Sequence, residues 1–334
     1  MAKDSKASKK DERLFGGLDI GGTKLYALIT DADGKILGKG KKKTKPEIGF
    51  EGVMKRAIAC LEEACKDAKV ERTALTALGV GSPSPILEDG TAVFAPNLDW
   101  HDVPLGQTLA EATGLPVFPE NDVNAGTYGE YVLGAGKGAK TLVGLFPGTG
   151  LGGGIVYHGE ILRGENRMAV EIGHMIVQAG GRRCGCGHCG CLEAYASKTG
   201  MGKRFSHEID FCGRDSTLIK ACNGKYDNIK SSILAKAYEA KDAVAVETLH
   251  EAADYLGIGV GNMITLLGPD VVVLGGGVFE ALGDKLIERV RAAAAAVTLP
   301  EASFKDTTIE LAKLADDAVA LGAMMVAKTS VDQA

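Results

Sequence analysis

The sequence predicts an α/β fold that contains a duplicated unit, with two lobes and a cleft between them. Three observations predict this fold, and the first two, which concern the order of elements, predict the duplication. A strand, a glycine-rich turn and a second strand occur near residue 20 and again near residue 148, and strands alternating with helices follow each of them. The third observation is the length of 334 residues, which exceeds what one hydrophobic core usually supports.

The first predicted unit begins with an antiparallel meander of three strands, at residues 14–20, 25–30 and 35–43. Residues 21–24 form its glycine-rich first turn, and Asp33-Gly34 is a hairpin signal. Apolar residues at helical spacing predict the helix that follows, over residues 50–68. The remaining elements of this unit are a strand, a helix and a strand, at 74–80, 105–113 and 115–119.

The second predicted unit repeats the strand, glycine turn and strand. A strand at 141–145 is followed by the turn at 147–154, and short strands at 155–157 and 160–161 come next. A fully apolar strand over 271–274 ends in the glycines at 275–277. Four further segments have helical patterns, at 231–240, 243–267, 280–296 and 316–328.

Composition excludes several classes of protein. The chain is 45% hydrophobic and carries a net charge of −5, which argues against a nucleic-acid binder with a basic face. It has no apolar run of about 18 residues, so we expect no membrane helix. The N-terminus lacks the apolar core of a signal peptide, and residues 1–12 read as a disordered basic tail. We therefore expect a cytoplasmic protein whose eight cysteines are thiols and metal ligands rather than disulfides.

Three glycine-rich turns follow predicted strands, at residues 19–24, 148–150 and 275–277. Glycine lets backbone N–H groups approach an anion closely, as in the binding of nucleotide phosphates. None of the turns matches the P-loop or the dinucleotide-binding fingerprint, so the sequence predicts a different mode of phosphate binding. Asp19 at a strand end suits Mg²⁺ held through water, and a carboxylate that caps the turn is the alternative.

The tripeptide Glu120-Asn121-Asp122 ends another predicted strand, where the cleft would lie. A kinase that phosphorylates a hydroxyl group needs a carboxylate to accept the hydroxyl proton. Asp122 suits that base and Asn121 suits binding of adjacent hydroxyls, although Asn-Asp also favours turns.

The segment GGRRCGCGHCGCLE, residues 180–193, holds four of the eight cysteines. Thiolates this close together, between glycines, suit a tetrahedral Zn²⁺ site. The preferred ligand set leaves Cys189 spare and consists of His174, Cys184, Cys186 and Cys191. Four protein ligands would close the site and make the zinc structural rather than catalytic.

Polar side chains flank this cysteine-rich segment. Glu171, His174 and Glu193 suit recognition of several neighbouring hydroxyls, because each can pair with a hydroxyl group. His174 binds either zinc alone or zinc through one ring nitrogen and substrate through the other. The segment Asn97-Leu-Asp-Trp100 has two interpretations: Trp100 is a core or lid aromatic, or the segment is a substrate-side loop in which Asn97 touches a sugar.

Five motifs together resemble the ROK family of repressors, open reading frames and sugar kinases, over residues 14–328: DIGGTK (19–24), ENDVNAG (120–126), GTGLGGG (148–154), EIGH (171–174) and CGCGHCGCLE (184–193). The zinc-loop pattern CxCGxxGCxE is the most specific of them and matches without a gap. The resemblance implies the two-lobed actin-like/ribonuclease H-like ATPase fold, in which ATP and sugar meet in the cleft. We expect a small N-terminal α/β lobe at 13–133 plus 317–330 and a large C-terminal α/β lobe at 134–316, with the zinc loop at 174–193.

The same resemblance implies a role for each motif residue. Asp122 would be the catalytic base. The sugar would be held by Asn97, Asn121, Glu171, His174 and Glu193. The phosphates would be lined by Gly21, Gly22, Thr23, Lys24, Gly148, Thr149 and Gly150, with Asp19 beside them. Gly276 and Gly277 would lie near the nucleoside. Zinc would bind His174, Cys184, Cys186 and Cys191, and exchange of a ligand with Cys189 stays open.

The implied activity is ATP- and Mg²⁺-dependent phosphorylation of a hexose at its 6-hydroxyl. The segment NLDWHDVPL (97–105) looks like a loop of ROK glucokinases and favours glucose. The alternatives are another hexose (N-acetylmannosamine, N-acetylglucosamine, mannose or fructose), polyphosphate as donor, or a sugar-sensing protein without catalysis. Only 18 residues precede Asp19, so we expect no winged-helix DNA-binding domain and no nucleic-acid partner. The resemblance also implies a homodimer.

Overall fold

A computed structural model describes residues 11–227 and 229–334. Residues 1–10 of the predicted basic tail lie outside the described residues. The chain separates into two compact units, one of residues up to Gly129 together with Asp317–Ala334 and one of Glu130–Asp316. Among the described helices, none combines the length and the apolar character needed to cross a membrane.

The strands and helices of the described residues are numbered in chain order. The strands are β1 (Leu14–Ile20), β2 (Lys24–Asp31), β3 (Ile36–Lys43), β4 (Leu75–Ser82), β5 (Ala92–Ala95), β6 (Trp100–Val103), β7 (Val117–Asn121), β8 (Thr141–Pro147), β9 (Leu151–Tyr157), β10 (Glu160–Ile161), β11 (Val271–Leu274) and β12 (Thr308–Leu311). The helices are α1 (Gly49–Ala68), α2 (Leu105–Thr113), α3 (Asp122–Val132), α4 (Glu193–Ala196), α5 (Lys198–Ser206), α6 (Leu218–Cys222), α7 (Ser231–Glu239), α8 (Ala243–Leu267), α9 (Gly276–Val297), α10 (Glu301–Asp306) and α11 (Ala318–Gln333).

Each unit contains a five-stranded sheet of the same design. The strand order is β3-β2-β1-β4-β7 in the first unit and β10-β9-β8-β11-β12 in the second. In both sheets the middle strand pairs antiparallel with the strand that follows it in sequence and parallel with a later one. Strand order and strand direction therefore repeat, which confirms the predicted duplication of an α/β unit.

Two helices cover opposite faces of the first sheet. Neighbouring residues of a strand point to opposite faces, and here Gly16 lies against Leu61 of α1 while Gly17 lies against Ala320 of α11. The buried side chains of α1 and the sheet form the apolar core of this unit, which also contains Trp100. Trp100 is 1% exposed and packs edge-on against Phe50, so it is a core residue and not a lid.

Helix α11 approaches the sheet so closely that glycine is required beneath it. A Cβ atom at Gly79 would lie 1.8 Å from the carbonyl oxygen of Ala323. We expect Gly79→Ala to lower the free energy of unfolding by about 1–3 kcal/mol or more, because backbone has to move to admit the methyl group. Urea unfolding followed by circular dichroism measures the change.

The matched control for Gly79→Ala is Gly126→Ala, which adds the same methyl group beside α11. Its Cβ would lie 3.6 Å from Val319 Cγ2, an ordinary contact, and alanine is favoured over glycine within a helix such as α3 by about 1 kcal/mol. Gly126→Ala should therefore leave stability unchanged or raise it. Equal unfolding midpoints for the two variants would contradict the close approach of α11.

The core of the second unit lies between its sheet and the long helices α8 and α9, with Val143, Leu256 and Val290 among its buried side chains. The predicted glycine turn at 147–154 is wrong in its second half, because β9 begins at Leu151 and pairs with β8 along its whole length. Glycine serves packing here, since a Cβ at Gly153 would lie 2.5 Å from Ile172.

Candidate active site

Three parallel strands of the first unit end at one edge of its sheet. β4 lies between β1 and β7, and its Gly81 pairs with Asp19 on one side and Glu120 on the other. The Cβ position of Gly81 is 3.6 Å from the Cα of Asp122. The structure thus brings Asp19 and Asp122 to the same carboxyl edge, where open α/β sheets bind their ligands.

Asp122 is the first residue of α3, directly after the end of β7. Its carboxylate accepts a hydrogen bond from the Val123 N–H at 2.8 Å. The residue is partly exposed, yet enough protein surrounds the carboxyl group that burial raises the pKa of Asp122 to about 6. A carboxylate with a pKa near the working pH is suited to accept a proton.

Asn121 has a structural task that the sequence did not reveal. Its side-chain oxygen accepts hydrogen bonds from the N–H groups of Val123 at 3.0 Å and Asn124 at 3.1 Å, which caps the start of α3. Its side-chain nitrogen donates to the Ser84 carbonyl at a long 3.4 Å. The amide nitrogen is therefore the group of Asn121 that remains suited to a sugar hydroxyl. Glu120 is 3% exposed and accepts from the Asn124 amide at 3.1 Å, so it supports the same turn.

In the turn between β1 and β2, hydrogen bonds hold the carbonyl groups of Gly21 and Thr23. The Gly21 N–H donates to the Lys24 carbonyl, and Thr44 binds the carbonyls of Gly21 through its hydroxyl (2.6 Å) and of Thr23 through its N–H (3.0 Å). Within residues 11–227 and 229–334, the N–H groups of Gly22 and Thr23 have no protein acceptor. Two consecutive free amides at a glycine turn suit a phosphate oxygen.

Asn97 lies beside this turn. It belongs to the helical turn Pro96–Leu98 that joins β5 to β6, and it is exposed. A Cβ atom at Gly22 would lie 3.1 Å from the Cβ of Asn97. Asn97 and the first glycine turn are therefore neighbours within the first unit.

The turn between β8 and β9 repeats this pattern in the second unit. The Gly148 N–H donates to the Gly150 carbonyl at 2.8 Å, and the carbonyls of Gly148 and Thr149 accept from the N–H groups of Lys198 and Thr199. In the part of the chain that the structure describes, the N–H groups of Thr149 and Gly150 have no protein acceptor. Both glycine turns thus present two adjacent amides to a ligand.

The third glycine segment is not a separate turn, as the sequence had suggested, because α9 already begins at Gly276. Gly276 has a φ of +78°, and a Cβ there would lie 2.6 Å from the carbonyl oxygen of Pro147. Gly276 therefore lies directly beside the end of β8. A cavity of about 200 Å³, lined by Gly275, Phe279 and Leu311, adjoins the start of α9.

Four side chains of the cysteine-rich segment converge. The ligand atoms of His174, Cys184, Cys186 and Cys191 all lie within 4.8 Å of one another. The distance from Cys184 Sγ to His174 Nδ1 is 3.7 Å, and that from Cys186 Sγ to Cys191 Sγ is also 3.7 Å. A tetrahedral site with Zn–S bonds of about 2.3 Å has edges of about 3.8 Å between its sulfur atoms, so the arrangement fits this metal.

The surroundings of the cluster also fit a metal site. Burial raises the pKa of the Cys184 thiol to about 12, so a bound cation would be needed to keep it a thiolate. The backbone N–H of His188 lowers the pKa of Cys186 to about 6. Cys189 is exposed and does not belong to the group of four. His174 faces the sulfur atoms through Nδ1, which leaves Nε2 for another partner.

The two glutamates that flank the cysteine-rich segment differ in their surroundings. Glu171 is exposed and directly precedes the helical turn Ile172–His174. The carboxylate of Glu193 is engaged, since Oε2 accepts from the Leu151 N–H at 2.9 Å and Oε1 lies 3.4 Å from Cys184 Sγ. The structure therefore joins Glu193 to the second glycine turn and to the cysteine cluster at once.

Three residues of these turns carried no signal in the sequence. Thr44, Lys198 and Thr199 bind carbonyl groups of the two glycine turns. Three of these bonds are made by backbone N–H groups, which no residue type reveals. The side chain of Thr199 adds a hydroxyl hydrogen bond to the Thr149 carbonyl at 2.7 Å.

Comparisons with known proteins agree with this architecture. The model of the ROK family matches residues 15–330. The chain is 36% identical to a glucokinase of Thermotoga maritima over 94% of this chain and 97% of that one. It superimposes with a TM-score of 0.81 on a ROK hexokinase from Thermus thermophilus, with 32% identity over 96% of this chain and 100% of that one. The TM-score is also 0.81 for a ROK glucokinase from Streptomyces griseus solved with glucose and AMPPNP, with 31% identity over 95% of this chain and 99% of that one.

The match to the family model covers nearly the whole chain, and the similarity to the solved structures extends over both units. The fold expected from the motifs, the actin-like/ribonuclease H-like fold of ROK sugar kinases, is thereby confirmed. The chain belongs to the ROK family.

Proposed function

We propose that the chain is an ATP-dependent hexose kinase that transfers the γ-phosphoryl group to the 6-hydroxyl of glucose. The observation that carries this proposal is the Asp122 carboxylate, which burial holds at a pKa of about 6 at the sheet edge that also carries Asp19. A group with that pKa is mostly ionised at neutral pH and can accept the hydroxyl proton.

In the proposed reaction the 6-oxygen of the sugar attacks the γ-phosphorus as its proton passes to Asp122. The new P–O bond forms while the bond to the β,γ-bridging oxygen breaks and ADP leaves. The free amides of Gly22 and Thr23, and those of Thr149 and Gly150, would donate to phosphate oxygens and offset their charge. Gly276, Gly277 and the cavity beside them would take the nucleoside.

Magnesium and zinc have separate proposed roles. Asp19 would hold Mg²⁺ through water, and Mg²⁺ supplies charge neutralisation on the transferring phosphates. Zinc would be held by the four residues of the cysteine cluster as a structural ion, because four protein ligands leave no open position. Lys24, at the end of the first glycine turn, would add a positive charge near the phosphates.

The sugar would be held by side chains from both ends of the cysteine segment and from the first unit, namely Asn97, Asn121, Glu171, His174 and Glu193. The choice of glucose is supported by the glucokinases among the relatives and by the loop at residues 97–105. A coupled assay with MgATP and a panel of hexoses tests it. Glucose should have the highest kcat/KM, and a higher value for N-acetylmannosamine, N-acetylglucosamine, mannose or fructose would reassign the substrate.

Two further properties are part of this proposal. ATP is the proposed donor, which the same assay tests against polyphosphate. The protein is proposed to be a homodimer, by analogy with the family, and light scattering after size-exclusion chromatography measures its mass in solution.

The raised pKa of Asp122 predicts a pH dependence. The base works as the carboxylate, so kcat/KM for glucose, which reports ionisation of the free enzyme, should rise with pH through about 6 and level off above it. Well below the pKa, the rate should fall about tenfold per pH unit, because the fraction of Asp122 that is ionised falls tenfold per pH unit. Initial rates at glucose concentrations well below KM, measured between about pH 5 and 8, give this part of the pH profile.

A control separates Asp122 from the ionisation of the nucleotide, which also titrates in this range. The Asp122→Glu variant has a carboxylate on a longer side chain, so a midpoint of the pH–rate profile that is set by residue 122 should shift. A midpoint that is set by the pKa of the nucleotide should not shift. A profile whose midpoint is the same in both proteins would assign the limb to the nucleotide and contradict the prediction.

A further inference from the structure

The second glycine turn is held by one short segment that directly follows the cysteine cluster. Lys198 donates its N–H to the Gly148 carbonyl at 2.9 Å, and Thr199 binds the Thr149 carbonyl through its N–H at 3.2 Å and its hydroxyl at 2.7 Å. Glu193 accepts from the Leu151 N–H at 2.9 Å. The hydrogen bonds from this segment therefore reach Gly148 and Thr149 within the turn and Leu151 directly after it.

The same segment is tied to the cluster at its other end. Cys191, a proposed zinc ligand, is two residues before Glu193, and its neighbour Leu192 donates its N–H to the Met175 carbonyl, next to His174. Glu193 Oε1 lies 3.4 Å from Cys184 Sγ. The two oxygens of one carboxylate thus contact the cluster on one side and the turn on the other.

Space around the turn is filled by the same carboxylate. A Cβ atom at Gly150 would lie 2.5 Å from Glu193 Oε2. If Glu193 moved, the Leu151 N–H would lose its acceptor and the turn would lose the group packed against it. The position of the free amides of Thr149 and Gly150 therefore depends on where the cluster holds Glu193.

We propose that the metal-binding cluster positions the Gly148–Gly150 turn through Glu193 and the Lys198-Thr199 dipeptide, so that the metal supports nucleotide binding as well as sugar binding. This inference rests on the proposed kinase function. Its physical basis is preorganisation: amides already fixed in place bind a phosphate without an ordering cost, and a released turn would have to be ordered on binding. Glu193 would then be a positioning residue in addition to its proposed contact with sugar.

Titration calorimetry with Mg²⁺ and AMPPNP tests the proposal on the full chain, before and after removal of zinc with a chelator. We expect zinc removal to raise the Kd of AMPPNP by about tenfold or more, the size of effect seen when groups that support a site are lost. The zinc content of the same samples is measured by elemental mass spectrometry. An unchanged Kd in folded, zinc-free protein would overturn the proposal.

Variants at Thr199 keep the test decisive if zinc-free protein unfolds. In zinc-loaded protein, Thr199→Ala should raise the Kd of AMPPNP by about 3–10-fold, the equivalent of one hydrogen bond, without changing zinc content. Thr199→Ser keeps the hydroxyl and should restore wild-type affinity. The matched control is Thr265→Ala. Thr265 lies near the end of α8, and its exposed hydroxyl accepts a hydrogen bond from the Leu299 N–H. This substitution should have no effect.

The outcomes also separate this inference from the proposed function. Zinc-loaded wild type that neither binds AMPPNP nor phosphorylates a hexose contradicts the kinase function itself. A wild type that does both, with a Kd that is insensitive to Thr199→Ala, contradicts only the link between the cluster segment and the turn.

Discussion

The Asp122→Asn variant should phosphorylate glucose about 10²–10⁴-fold more slowly than the wild type, because it lacks the carboxylate that accepts the hydroxyl proton. Asparagine has the same shape and keeps an oxygen for the Val123 N–H, which Asp122 accepts at 2.8 Å, so α3 should begin unchanged. Glucose affinity, measured by titration calorimetry, should stay close to that of the wild type. The loss should therefore appear in kcat and not in KM.

The control for this variant is Asp33→Asn, the same chemical change at an exposed hairpin turn of the same unit. It should retain full activity. The Asp122→Asn protein should also lose the pH limb near 6, since its remaining rate no longer depends on ionisation of that group. Turnover near the wild-type value in Asp122→Asn would show that Asp122 is not the general base.

Replacing Cys191 with serine should have the second largest effect. Its thiol is buried and lies 3.7 Å from Cys186 Sγ, within the group of four ligand atoms. Loss of a direct ligand should weaken zinc binding by more than the about 10–100-fold that loss of a supporting residue costs. Because the cluster holds His174 and Glu193, we expect the unfolding temperature to fall and the Kd of glucose to rise together.

Cys189→Ser is the matched control, because it makes the same substitution two residues earlier in the same loop. Cys189 is exposed and stands outside the cluster, so zinc content, stability and glucose affinity should all remain at wild-type values. If Cys189→Ser also lost zinc, this thiol would take part in binding. If Cys191→Ser lost zinc but bound glucose normally, the cluster would not support the sugar side of the site.

Most elements of the fold could be predicted because periodicity and glycine signals agreed along the chain. The strand at Leu14–Ile20 and the helices at Leu105–Thr113 and Ala243–Leu267 have the predicted bounds. Errors arose where glycine was interpreted as a turn signal. Gly152 to Gly154 belong to β9 and not to a turn, and at Gly153 the missing side chain admits Ile172.

The residue types of the candidate site could also be predicted, but not the tasks of every residue. The cysteine pattern identified four side chains that do converge, because close spacing along a short loop limits their separation. Asn121 could not be recognised as a helix cap, since asparagine suits both a cap and a sugar contact. The link from Glu193 to the second turn depends on residues 42 positions apart, which no local pattern reveals.

The glycine-dependent packing of α11 also bears on the order in which the protein matures. The second unit is one continuous segment, whereas the first unit is completed only by Asp317–Ala334. Val319 of α11 covers Gly81, the neighbour of Asp122, so closely that a Cβ atom at Gly81 would lie 2.4 Å from Val319 Cγ1. Domains generally fold as units while the chain is synthesised from its N-terminus. The first unit therefore needs two segments that are far apart in the chain, and the surroundings of Asp122 can reach their final packing only after the whole of the second unit has been synthesised.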